Sequence, residues 1–211
     1  MPIRSSLASL VAATAVGATV FFAATAIAAA TGEAVSSAPA QGEFPVDWYF
    51  TKKNEDGSLA RRGPVHLEGK PAPKLSVKDW IGEQQDLSKL AAEDRIVVVD
   101  FWATWCRPCV AAIPKNVEMA TKFKDDVVII GVHDANSGAD KMPAMAKDKA
   151  INYPLCVDLG DSAKDWGVSF WPTYLVIDHE GVVRAAGLKP DAVSKVVEKL
   201  LDEKKKATAA G

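Results

Sequence analysis

The chain has 211 residues, of which 48% are hydrophobic and 25% charged; that is enough apolar material for one sizeable core, which excludes a disordered chain and a small disulfide-stapled scaffold. Its 25 Lys and Arg against 27 Asp and Glu leave a net charge of −2, and no block of like charge runs longer than Lys204 to Lys206, so nothing supports nucleic-acid binding. Three cysteines are odd in number and too few for a disulfide framework, so a functional pair must show itself by spacing.

Residues 1–30 read as a targeting segment. Arg4 and the terminal amine supply a positive start, no charged side chain occurs from Ser5 to Gly32, and small-residue exits stand at Ala26-Ile27-Ala28 and Ala28-Ala29-Ala30. The competing reading is an uncleaved membrane anchor over residues 7–30, which is long enough to span a bilayer. Its eight Leu, Val, Ile and Phe side chains supply only roughly −2 to −5 kcal/mol of insertion free energy, which favours export with cleavage. Either reading places the remainder outside the cytoplasm, where disulfides persist. Residues 31–42 are small and polar and read as a linker.

Residues 43–68 form an N-terminal extension. Trp48 to Thr51, the turn residues Asn54-Glu55-Asp56-Gly57 and Ser58-Leu59-Ala60 predict a hairpin there. Gly69-Lys70-Pro71-Ala72-Pro73 breaks regular structure and opens a domain over 69–211. Ile96 to Trp102 is an unbroken β-branched and aromatic run, as a central strand buried on both faces requires. A helix from about Cys106 to Lys124, with Val110, Ile113, Val117 and Ala120 on one face, leads to a second such strand over Val127 to Val132, which implies a right-handed parallel crossover. Further on come a helix near Ala139 to Ala150, a short strand at Leu155-Cys156-Val157 and a helical turn around Ser162 to Trp166. A third core strand, Thr173 to Asp178, turns through His179-Glu180-Gly181 into Val182 to Ala186 as an antiparallel hairpin. Pro190 to about Lys205 closes the chain as a helix burying Val193, Val196, Val197, Leu200 and Leu201. The sum is an α/β fold with helices on both faces of one sheet.

The chemistry sits at Trp105-Cys106-Arg107-Pro108-Cys109, where the first core strand gives way to its helix. A helix N-terminus offers free N–H groups and partial positive charge to the first sulfur, which favours its thiolate. Cys106 therefore reads as an exposed nucleophile and Cys109, a turn inward, as the resolving thiol. Pro108 suits the first turn, where a missing N–H costs little, and Arg107 adds a cation near the thiolate.

Val99 to Cys109, Pro114 five residues beyond the second cysteine, and Trp171-Pro172-Thr173 far downstream resemble the thioredoxin superfamily. Within it, Gly69 to Pro73 and an insert from about Gly138 to Gly167 resemble the exported TlpA/ResA-type thiol-disulfide oxidoreductases. The resemblance implies a thioredoxin fold with a central mixed sheet and that insert. It also implies a cis-proline at Pro172 facing the cysteine pair, and a Trp171 backbone that pairs with extended substrate, beside Trp105, Arg107 and Pro108. Asp100 matches the buried acid that accepts a proton from Cys109; in an apolar strand its pKa should rise. Pro114 would kink the helix. Two positions depart from the pattern: Ala112 stands where ResA-type reductases carry an acid, and Trp171 is bulky for the residue before the cis-proline. Dithiol-disulfide exchange needs no bound cofactor; it needs protein thiols or disulfides as substrates and a membrane redox partner to reset the pair.

A zinc site lacks a second ligand pair at the required spacing. A thioredoxin-like peroxidase would place its reactive cysteine elsewhere, and a non-catalytic binding or copper-handling module would use both thiols for a soft metal. Cys156, in a short apolar strand, reads as a buried inert thiol. His66, His133 and His179 show no ligand spacing, and His133 is expected at the surface or in a cap.

Overall fold

The computed structural model describes residues 43–210; the targeting segment and the linker lie outside the described residues. The extension begins with a short 3-10 turn at Val46–Trp48, followed by β1 (Thr51–Lys53) and β2 (Leu59–Arg61), an antiparallel hairpin as expected but starting three residues later than Trp48. The domain proper then runs β3 (Val77–Ile81), α1 (Leu87–Ala92), β4 (Ile96–Trp102), α2 (Arg107–Lys122), β5 (Val127–His133), α3 (Met142–Asp148), β6 (Leu155–Asp158), α4 (Ser162–Asp165), β7 (Thr173–Ile177), β8 (Val183–Leu188) and α5 (Pro190–Ala210). Six strands form one mixed sheet in the order β3-β6-β5-β4-β7-β8. β4 pairs in parallel with β5 and antiparallel with β7, so the parallel crossover through α2 and the C-terminal hairpin are both present.

All seven residues of β4 are buried, which is why its sequence shows no alternation. The alternation survives in space. Ile96, Val98 and Trp102 face a core shared with Ile113 and Met119 of α2 and with Val193, Val196, Val197 and Leu200 of α5. Val97, Val99 and Phe101 face the opposite layer, with Leu90 of α1, Trp166, Leu175 and Ile177. Because successive strand residues point to opposite faces, Asp100 belongs to the α2 side.

The buried stripe of α2 is Cys109, Ala112, Ile113, Asn116 and Met119, whereas Val110, Val117 and Ala120 are only half-buried. The predicted face is thus rotated by about one residue, and the helix presents a polar side chain, Asn116, to the core. The helix runs on through Pro114. Two elements were not anticipated: β3, which pairs antiparallel with β6, and α1, whose Asp86 cap accepts from the Ser88 and Lys89 N–H groups.

Residues 43–72 are built into this domain along the outer edge of β8. Phe50 N–H donates to Gly187 O, Lys189 N–H to Trp48 O, and Gly69 and Val183 exchange bonds with Val183 O and Lys70 O. The Glu68 carboxylate accepts from the Ala186 N–H and pairs with Arg61, whose guanidinium lies 3.4 Å over the centre of the Tyr49 ring. Phe44 and Tyr49 are fully buried. Trp48 stacks on Phe44 and Phe50 meets Phe170 edge-on, so these aromatics are packing residues. Gly187 has a φ of +82°, and a side chain there would collide with the Arg62 carbonyl. An edge strand is otherwise an open template for pairing, and here the chain closes it.

Candidate active site

The site forms where β4 ends and α2 begins. Cys106 caps α2, and its Sγ accepts the Cys109 N–H at 3.3 Å. Cys106 and Cys109 are joined as a disulfide with a Cα separation of 5.3 Å. The arrangement points a free helix N–H at the first sulfur, as the spacing implied. Cys106 is less open than expected: in this oxidised state it is 5% exposed, and Cys109 is 1% exposed. Packing of the loop around the disulfide covers it, and the exposed surface beside it belongs to Trp105, 52% exposed, with Arg107 and Pro108 on the first turn.

Pro172 follows a cis peptide bond after Trp171 and immediately precedes β7. Thr173 pairs with Phe101 across β4 and β7, so residues 171–172 continue past the end of β4 beside the loop that carries the cysteines. The Trp105 and Trp171 rings meet at 5.9 Å between centroids, tilted by 60°, and Trp171 is half-buried. Two loops far apart in sequence thus share one aromatic rim at the disulfide.

Asp100 is 3% exposed on the α2 side of the sheet. Its Oδ2 accepts from Asn116 Nδ2 at 2.9 Å, while Oδ1 is buried without a partner among the described residues. Burial raises its pKa from 3.8 to about 7, and Tyr174 and Asn116 only partly offset that. The Tyr174 and Tyr153 hydroxyls complete the cluster, each within reach of the Asn116 amide. Burial also holds both phenols well above their usual range, so they stay neutral.

His133 corrects an expectation. It is fully buried, at the end of β5, with its ring edge-on to Trp102. Its Nε2 accepts the Thr104 N–H at 2.9 Å, and Nδ1 lies 2.8 Å from Asp134 O, which requires the tautomer protonated at Nδ1. Thr104 Oγ1 donates to Gly138 O and Trp105 Nε1 to Ser137 O. The segment 133–138 therefore moors the loop that leads into Cys106. Burial lowers the imidazole pKa, consistent with a neutral acceptor. Cys156 is buried as expected, with a thiol pushed up in pKa by burial.

Residues 69–186 match the model of the AhpC/TSA family, more than half of the chain. The chain belongs to that family. Among curated relatives, the thiol-disulfide oxidoreductase ResA of Bacillus cereus is 30% identical over 144 residues, covering 68% of this chain and 75% of ResA. The thiol:disulfide interchange protein HelX of Rhodobacter capsulatus is 28% identical over 157 residues, 72% of this chain and 86% of its own. Among solved structures, a thioredoxin-like protein in its oxidised form aligns with a TM-score of 0.57 at 25% identity, covering 63% of this chain and 95% of that one. The thioredoxin fold and the ResA-type resemblance read from the motif are thereby upheld for this AhpC/TSA member.

Proposed function

We propose that this protein is an exported thiol-disulfide oxidoreductase that exchanges disulfides with extended segments of protein substrates. The observation that carries the reading is the Cys106–Cys109 disulfide set on a helix N-terminus, with a buried acid of raised pKa in the strand that feeds it. In the reductive direction the Cys106 thiolate attacks a substrate disulfide and one substrate thiolate leaves. Cys109 then gives its proton to Asp100 and attacks Cys106 Sγ, which releases the second substrate thiol and leaves the protein oxidised by two electrons. A reducing partner, which we place in the membrane, returns those electrons; the oxidative direction runs the same steps backwards. Export is supported by Arg4 and the uncharged stretch behind it.

The peroxidase and metal-handling readings make different demands. Mixing the reduced full chain with a protein disulfide should release two substrate thiols for each Cys106–Cys109 bond formed, with no metal added. Consumption of hydrogen peroxide without such exchange would overturn the proposal, as would exchange that depends on bound copper.

Trp171 is the residue through which we place substrate. Trp171→Thr should weaken capture of a protein disulfide by about 1 to 2 kcal/mol, roughly 5- to 30-fold, because truncating a central aromatic contact costs that much. A small aromatic disulfide should react nearly as before. Equal losses for both substrates, together with a lowered melting temperature, would mark Trp171 as a support for the Pro172 loop instead.

A further inference from the structure

Polar atoms buried in a protein are nearly always partnered, and an orphan among them has to be explained. Asp100 supplies one. Its two oxygens have been made unequal: Oδ2 is gripped by Asn116 at 2.9 Å, and Oδ1 has no partner among the described residues although it is sealed from solvent. Asn116 is itself 2% exposed and reaches the Tyr174 hydroxyl at 3.1 Å and the Tyr153 hydroxyl at 3.5 Å with the same nitrogen. It stands seven residues beyond Cys109, two turns along the same face of α2, and both belong to the helix's buried stripe. One helix therefore carries the resolving cysteine and the amide that holds the acid opposite it.

We propose that Asn116 is a positioning residue for the exchange reaction: by tethering Oδ2 of Asp100 it fixes the carboxylate and leaves Oδ1 as the oxygen that takes the proton of the resolving thiol. This rests on the reading of Asp100 as the base for Cys109. The balance is simple. The Cys109 S–H bond breaks, its proton bonds to Oδ1, the thiolate electron pair forms the bond to Cys106 Sγ, and the substrate sulfur leaves with the electrons of the mixed disulfide. Asn116 gains and loses nothing; it donates one hydrogen bond that is stronger to the carboxylate than to the neutral acid. The amide does more than fill core volume, since an apolar side chain of similar size would fill the same space and leave the buried carboxylate without the amide donor, with only the Tyr174 hydroxyl beside it.

The test separates those two roles. In the oxidised full chain, where neither Cys106 nor Cys109 titrates, the Asp100 carboxyl carbon is followed by NMR against pH. Asn116→Leu keeps the volume and removes the donor. Its Asp100 midpoint should move up by about one pH unit, roughly tenfold tighter proton binding, as expected for losing one hydrogen bond to a charged group. Asn116→Thr, which keeps a hydroxyl donor, should fall between Leu and wild type, and it carries the test if the Leu variant does not fold. The pH profile for resolution of the mixed disulfide should shift upward by the same amount. An unmoved Asp100 midpoint in a folded variant would overturn the proposal and leave Asn116 a packing residue. A moved midpoint with an unmoved rate profile would overturn the assignment of Oδ1 to the thiol while thiol-disulfide exchange itself stood. Failure of the wild-type chain to exchange at all would instead sink the function on which the proposal rests.

Discussion

Cys109→Ser will hold protein substrates as mixed disulfides through Cys106, and Cys106→Ser will hold none. The expectation follows from the position of the two sulfurs on one helix end. The N–H that Cys106 Sγ accepts at 3.3 Å is that of Cys109 itself, so replacing the Cys109 sulfur by oxygen leaves the backbone donor in place and the thiolate stabilised. Attack persists and resolution is lost, so turnover with a protein disulfide should drop to background while covalent adducts accumulate. Separation without reductant, followed by mass measurement of the linked peptides, reads the result. Adducts recovered from Cys106→Ser and absent from Cys109→Ser would reverse the two roles.

Asp100→Asn should slow resolution by about a hundredfold, the low end of what a positioned proton acceptor contributes, and should leave the first attack nearly untouched. Stopped-flow rates for the two steps decide this; equal slowing of both would remove the role. Stability should move the other way. The Asp100 pKa is raised from 3.8 to about 7, so between those values the native state holds a proton that the unfolded chain has given up. Stability therefore falls as pH rises through that window and is level above it, where both states are ionised. A neutral Asn escapes that cost. The melting temperature of Asp100→Asn should accordingly exceed that of wild type by a margin that grows from about pH 4 to pH 7 and then stays constant. A margin independent of pH would show that the buried carboxylate is not the source.

Much of this site could be read without coordinates because its chemistry is local. The unbroken apolar run of Ile96 to Trp102 left only a buried central strand as a reading, and a C-x-x-C at its exit put both sulfurs on the helix that must follow. What escaped notice depends on distance in sequence or on residues that look out of place. His133 serves Thr104 from 29 positions away, and a lone histidine at a strand end carries no sign of such a contact. Asn116 was hidden for a different reason: apolar Val110 and Val117 suggested a helix face one residue off, and only counting Cys109 as part of the stripe brings Asn116 onto it. β3 was missed because its centre, Lys78-Asp79, is exposed and Asp79 has a φ of +50°, so the strand lacks any alternation to find. The six-residue α1 is capped by the Asp86 side chain, but the helix is too short for a period to show in the sequence.

The covered edge of β8 bears on where this protein can be cut. The family match spans 69–186, and sequence similarity alone would draw the working unit there. The packing of this chain extends beyond both ends of that match. A fragment trimmed to the match would lose Glu68 and with it the acceptor of the Ala186 N–H, lose the Arg61–Tyr49 pair that covers the edge of β8, and strip from the sheet the layer supplied by α5. Such a piece would retain the cysteines and the acid yet present a bare strand and an uncovered apolar face, which is the description of an aggregating species. The matched segment holds the cysteines and the acid, and the segments on either side of it close the edge of β8 and cover one face of the sheet.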